Sequence, residues 1–268
     1  MVPRDASTVV LLRDGDGRPG GIEVYLLRRS AAMAFAPGYC VFPGGGVDPR
    51  DDEPGIGWAG PSAQEWGELL STSVDHARGL VCAAVRETFE ESGVLLAGPT
   101  PDSLVADTTG DDWEEDRRRL EGRDVAFRDV LRRRGLVLRT DLLRWWGSWV
   151  TPEQEPRRYN TRFFVARLPK GQVTRDVSTE SDEVHWLAVR DALDAVDSGR
   201  LTMLPPTYVT CLELHAFPTS EAVLAAAADR DRSTVEPRLS GSRVELPPRT
   251  AALLRARAEQ RRATQAHP

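Results

Sequence analysis

The stretch Arg86–Gly93, RETFEESG, sets Glu87, Glu90 and Glu91 within five positions, beside Arg86 and ahead of Gly93. It closes a longer run, STSVDHARGLVCAAVRETFEESG, in which Leu80, Ala83, Ala84 and Val85 recur at helical spacing. Ser73 or Asp75 can cap that helix, and Gly93 stops it. Positions i, i+3 and i+4 share one face of a helix, so the three carboxylates stand together. Like charges so placed repel, and near a helix C-terminus they also oppose the macrodipole. They are tolerated on a solvated helix end, or where a cation sits among them. Hard oxygen ligands suit Mg²⁺ or Mn²⁺, and Mg²⁺ is often completed by water and substrate phosphates. The cluster therefore points to a divalent-metal site for a phosphorylated ligand.

Upstream, STVVLLRD (Ser7–Asp14) and IEVYLLRR (Ile22–Arg29) flank the turn cluster GDGRPGG and predict a β-hairpin. SAAMAFAPG follows as a loop. YCVFPGGGVD (Tyr39–Asp48) reads as a short strand running into Gly44, Gly45 and Gly46. The later GIGWAG (Gly55–Gly60) matches GxGxxG literally, but no strand leads into it and no glycine-rich helix start follows, so it is no dinucleotide fingerprint. Ser62–Leu70 predicts a short helix.

Downstream, GVLLAG reads as a strand and Pro99–Gly110 as a loop. Asp111–Gly135 is a charge-laced helical region. Its basic runs Arg117–Arg119 and Arg132–Arg134 suit either phosphates or, as the preferred reading, a solvated ion-paired face. LRWWGSWVTPE and TRFFVARLP predict two strands joined by EPRRYN. EVHWLAVRDALDAV predicts a strand passing into a helix, PPTYVTCLELHAF a helix, and the Ala/Arg-rich tail a helix near Thr250–Ala263. Strands, helix, strands and helix in that order predict an α+β or α/β sandwich with a mixed sheet.

The 268 residues are 40% hydrophobic and 28% charged with net charge −6, a soluble globular balance that gives no electrostatic case for nucleic acid. Cys40, Cys82 and Cys211 lie far apart and read as buried thiols in a reducing compartment. No apolar segment is long enough to span a bilayer, and no secretory signal opens the chain, so a cytoplasmic location is expected. His76, His185, His215 and His267 show no ligand spacing. Trp145, Trp146 and Trp149 are read as core rather than as a base-stacking platform.

RETFEESGV resembles the second half of the Nudix box, G-x5-E-x7-R-E-U-x-E-E-x-G-U, with Arg86, Glu87, Glu90, Glu91 and Gly93 in register and Thr88 in a position usually held by a bulky apolar residue. FPGGGVD resembles the start of the box, with Gly45 as its first glycine. The family pattern separates that glycine from the arginine by 14 positions. Here the separation is 86 − 45 = 41, so about 27 residues are inserted. The first box glutamate has no direct match: Asp51 or Glu53 can stand in, while the uninterrupted register would fall on Arg78. The split box, with LLRRSAAMAFAPGYCVFPGGGVDPRD, WVTPEQEPRRYNTRFFVARLP and MLPPT, resembles the Nudix hydrolases of the coenzyme A diphosphatase-like, nineteenth type.

The resemblance implies an α/β/α sandwich over 6–217, with an insertion at 46–75, a helical insertion at 111–135 and a C-terminal helical extension at 218–268; because long loops in compact domains tend to be functional, the insertion at 46–75 is expected to serve as a lid or substrate wall. It implies Mg²⁺- or Mn²⁺-dependent hydrolysis of a nucleoside diphosphate derivative, with coenzyme A or an acyl-CoA foremost. ADP-ribose, NADH or another nucleotide derivative, and a non-catalytic ligand-binding regulator, remain as alternatives. Glu87, Glu90, Glu91 and the Gly44 carbonyl are the expected metal ligands, and Arg86 the brace of the loop carboxylates. The general base is expected to be either a box glutamate or one from a later loop, for which Glu180 and Glu183 are the candidates. Arg28, Arg29, Gly44, Gly45, Arg158, Tyr159 and Arg162 are expected at the substrate. The partner is a small nucleotide diphosphate, and a homodimer is open.

Overall fold

The strands expected from STVVLLRD and IEVYLLRR form, as β1 (Arg4–Arg13) and β2 (Glu23–Arg29), and then part almost at once. The computed structural model describes residues 2–33, 36–240 and 243–266. Ala34 and Phe35 of the SAAMAFAPG loop, and His267, lie outside the described residues. The two strands pair antiparallel at Leu12–Val24 and Arg13–Glu23. Past those pairs, β3 (Cys40–Val41) enters beside β2 and β4 (Gly44–Gly46) beside β1.

β5 (Gly57–Ala59) and α1 (Ala63–Leu70) follow, then α2 (Val74–Ser92), β6 (Ala97–Gly98), α3 (Asp111–Glu121), α4 (Phe127–Arg133) and β7 (Val137–Arg139). Ser62 caps α1 reciprocally with Glu65. Of the two candidate caps for α2, Ser73 is the one used: its hydroxyl accepts the His76 N–H. Gly93, at φ 74°, closes the helix in the left-handed conformation. β5, β7 and β6 make a small second sheet not foreseen from the sequence. GVLLAG yields a strand only at its last two residues, because the Gln172 side chain takes both backbone groups of Leu95.

The main sheet is completed by β8 (Arg144–Val150), β9 (Tyr159–Arg167) and β10 (Ser181–Ala188), in the order β10-β2-β1-β9-β8. β1 runs parallel to β9 from Arg4–Tyr159 to Leu12–Arg167, and the other pairings are antiparallel, so the sheet is mixed as expected. α5 (Val189–Asp197), α6 (Pro205–Leu214), α7 (Ser220–Ala226), β11 (Arg238–Ser240), β12 (Arg243–Glu245) and α8 (Pro248–Ala266) end the described chain.

β1 is buried on both faces, which explains its continuous apolar run. Val9, Leu11, Tyr25, Leu27 and Phe164 face α2. Val10, Leu12, Val24, Leu26, Phe163 and Val165 pack with residues of α5, α6 and α7. The result is the α/β/α sandwich. Trp66 of α1 is 1% exposed and meets Phe164 edge-on. The insertion's helix is thus built into the core and does not hang as a lid. Val223, Ala227, Leu253 and Leu254 join the second core cluster, so the C-terminal segment packs against the sandwich. Its β11–β12 hairpin was not legible in an Ala/Arg-rich composition. Trp146 and Trp149 are buried and Trp145 packs on the first cluster, as expected. All three cysteines are free and buried. Among the described residues no helix is long and apolar enough to cross a membrane.

Candidate active site

The C-terminal turns of α2 lie against β4. The helix is seated earlier by Ser7, whose hydroxyl donates to the Leu80 carbonyl at 2.7 Å. At its end the last carbonyls of the helix are taken in turn: Phe89 by the Gly93 N–H, Ser92 by the Arg175 N–H, and Glu90 by Nη1 of Arg117 at 2.8 Å. Arg117 and Arg175 thereby set positive charge at a helix end that carries partial negative charge and three glutamates.

Arg86 organises the cluster from within. Its Nη2 donates to Asp51 Oδ2 and to the Gly46 carbonyl, both at 2.9 Å, and its Nη1 to Glu87 Oε1 at 2.7 Å and Glu90 Oε1 at 3.1 Å. A guanidinium fork with five donors suits this convergence. Arg86 therefore ties the loop at Gly46 and Asp51 to the carboxylates of α2. Asp51, 2% exposed, is the acid that meets it; Glu53 turns away to Arg128.

The glycines admit the carboxylates. A Cβ on Gly45 would stand 2.5 Å from the Glu87 carboxyl, and one on Gly44 would strike Thr8 and the Ser7 carbonyl. The Gly44 N–H donates to Glu91 Oε2 at 2.8 Å. A residue in an antiparallel strand aims its N–H and C=O to the same edge, so the Gly44 carbonyl also faces the α2 side.

Burial disfavours the charged forms here. Glu90 is pushed up to about 7, by burial first and the Glu87 charge second, with Arg86 opposing. Burial and Glu87 raise Glu91 well above the carboxylate range. Burial also lifts Glu87 and Asp51 in spite of Arg86. Among the described residues no three acidic, histidine or cysteine side chains already converge as a metal cage. Glu87 and Glu90 are turned onto Arg86, and Glu91 onto Gly44. The donor set is nevertheless hard oxygen, crowded and costly to ionise, which fits a hard divalent ion that keeps water and phosphate among its ligands.

Strand alternation sorts the remaining predicted residues. Arg29 shares the α2 face with Tyr25 and Leu27, and its charge acts on Glu91. It also lies 3.8 Å from Glu180, whose charge is felt by Glu87 and Glu91. Arg28 points to the other face, beside Cys40. Glu183 pairs with Arg28 at 3.4 Å and is not brought to the cluster. An irregularity between Ser181 and Glu183 separates the two candidate bases. Arg158 is buried against the Thr151 carbonyl and Glu236 at the β8–β9 turn, and the Tyr159 N–H bonds to Thr151 there. Arg162 flanks Ser7 opposite Gly45, two strands from it, and engages Asn160 beneath α2. His76 is 3.0 Å from Asp5 and His185 3.4 Å from Glu183, both away from the cluster.

Arg117 departs from the solvated face predicted for it. Its side chain is 2% exposed, whereas that of Arg118 is 67% exposed. The spacing Glu114, Arg117, Glu121 announces i,i+3 and i,i+4 pairs, but nothing local announces the reach to α2. Arg175, which joins Glu114 to the Thr108 carbonyl, carried no signal at all.

Residues 63–214 match the NUDT19 Nudix domain family. The chain is similar to the acyl-coenzyme A diphosphatase NUDT19 of Gallus gallus, 26% identical over 85% of this chain and 72% of that one. It is 27% identical to the Homo sapiens protein of the same name over 74% of this chain, a match spanning 61% of the human protein. Among solved structures, a NUDIX hydrolase from Alicyclobacillus acidocaldarius superposes with a TM-score of 0.70 at 30% identity, covering 84% of this chain and 96% of the other. With the split box folded into one glutamate-lined site, the chain is a Nudix hydrolase and belongs to the NUDT19 Nudix family.

Proposed function

We propose that the protein hydrolyses the diphosphate of coenzyme A or an acyl-CoA, giving 3′,5′-ADP and a phosphopantetheine. The carrying observation is the carboxylate cluster of Glu87, Glu90 and Glu91, held against a glycine strand by Arg86 and Asp51. The names of the chicken and human relatives support the choice of substrate class.

Glu87, Glu90, Glu91 and the Gly44 carbonyl would hold Mg²⁺ or Mn²⁺, which neutralises diphosphate oxygens and eases deprotonation of water. Arg86 keeps Glu87 and Glu90 in place and does not touch substrate. Arg29, on the same face, faces the phosphates. Glu180 is favoured over Glu183 as general base because it lies 3.8 Å from Arg29, on the α2 face, whereas Glu183 pairs with Arg28 on the other face. It accepts the proton as the water oxygen bonds to phosphorus and the bridging P–O bond breaks. The leaving phosphate carries away the electron pair.

The purified protein with Mg²⁺ or Mn²⁺ is assayed against CoA, an acyl-CoA, ADP-ribose and NADH side by side. Release of 3′,5′-ADP is expected. Preferred cleavage of ADP-ribose or NADH would displace the substrate and leave the chemistry. Tight binding without turnover of any compound would make the protein a regulator.

A further inference from the structure

The inserted helix α3 joins the glutamate end of α2 to the loop that carries Glu180. Arg117 donates through Nη1 to the Glu90 carbonyl at 2.8 Å and to Glu121 Oε2 at 3.0 Å. The other oxygen of Glu121 accepts both the N–H and the hydroxyl of Thr179, each at 2.8 Å. Thr179 immediately precedes Glu180, whose own carbonyl accepts the Ser30 N–H at 2.9 Å. Arg117 is 2% exposed and is held on its far side by Glu114. Thr179 is exposed while Ser178 beside it is buried; the one Glu121 oxygen that takes both Thr179 donors ties this turn to α3, as the Ser30 N–H ties it to the end of β2.

From this chain of contacts we propose that Glu121, anchored by Arg117, is a positioning residue that sets Glu180 in register with the metal-binding end of α2. The inference rests on the reading of Glu180 as general base. A misplacement of about 1 Å at a catalytic group costs up to about a hundredfold in rate, so a tie at the residue next to Glu180 has leverage on turnover without touching substrate.

Glu121→Gln breaks the arrangement chemically, since one remaining oxygen cannot serve both Arg117 and Thr179. In the full chain with Mn²⁺ and the best substrate of the panel, kcat is expected to fall about tenfold or more, with KM within about threefold. Mn²⁺ affinity by titration stays unchanged, and amide exchange at Thr179 speeds up. In a Glu180→Gln background the same substitution costs nothing further, because a group acting only through Glu180 has nothing left to position. Equal losses in both backgrounds, or a full kcat in Glu121→Gln with Thr179 exchanging faster, overturn the proposal. Full turnover by Glu180→Gln alone instead removes the base reading beneath it, and the two failures are thereby told apart. Should Glu121→Gln fold poorly, Thr179→Val deletes one of the two donors. It is expected to lower kcat less, in the same direction, and again only when Glu180 is present.

Discussion

The carboxyl group of Glu87 lies so close over Gly45 that a methyl group there would stand 2.5 Å from it. The colliding atoms are the far end of a side chain, so Glu87 can swing aside at small cost to folding. Gly45→Ala is therefore expected to fold with a loss under about 1 kcal/mol while turnover drops at least about tenfold as Glu87 leaves the cluster. Gly44→Ala meets the Ser7 carbonyl and Thr8 backbone instead. It should lose about 2 kcal/mol or more, since strands must part to admit it. Thermal melts beside steady-state rates separate the two.

Arg86 is enclosed with Asp51, Glu87 and Glu90. Removing it as Arg86→Ala strands three buried acids and is expected to destabilise by about 3–5 kcal/mol. Asp51→Asn should cost about 1–3 kcal/mol, whereas Glu53→Gln, at a partly exposed pair with Arg128, should be nearly neutral. Urea melts of the three variants decide which acid substitutes for the missing box glutamate. Equal costs for Asp51 and Glu53 would contradict the assignment.

A carboxyl whose pKa is raised on folding favours the protonated native state. Its contribution is present below the unfolded pKa and is lost as pH rises through the folded one. For Glu90 that window runs from the ordinary glutamate range to about 7. The metal-free protein is thus expected to lose stability as pH climbs across that interval. Mn²⁺ should restore it increasingly at the upper end, where the ligands are ionised. Melting temperatures across pH, with EDTA and with Mn²⁺, check both signs.

Glu90→Gln and Glu91→Gln each remove one of the repelling charges. Turnover should fall by orders of magnitude in either, while the metal-free fold is unchanged or slightly more stable, an exchange common at functional sites. Activity assays paired with chemical denaturation measure it. Full activity in both variants would discard the metal assignment.

The acidic face of α2, its glycine stop and the strand-to-glycine turn were all legible because helix and strand periodicities are local signals. So was the mixed sheet. The choice between Asp51 and Glu53 was not, because 35 residues separate Asp51 from Arg86 and only the folded chain closes that distance. The sides taken by Arg28 and Arg29 follow from strand alternation, but which side holds α2 does not. Glu180 and Glu183 are equal candidates in the phrase STESDEVHW, and only the fold, through the irregularity at Ser181–Glu183, separates them and pairs Glu183 with Arg28. The surroundings of Arg158 and Arg162, in the phrase PRRYNTRFF, are not legible from the sequence either. Glu236, from a distant segment, meets Arg158, and the charge of Asp5 acts on Arg162.

β1 lies at the heart of the sheet, yet it meets β2 at two residue pairs and takes its long parallel neighbour, β9, from 159 − 4 = 155 residues further on. During synthesis on the ribosome that apolar ribbon has to wait, one flank bare, until most of the chain has emerged. Contacts this remote in sequence slow folding and leave a sticky edge open to other chains. Recombinant yield should accordingly respond to cooler growth and to chaperone supply more than to any change at the glutamate cluster.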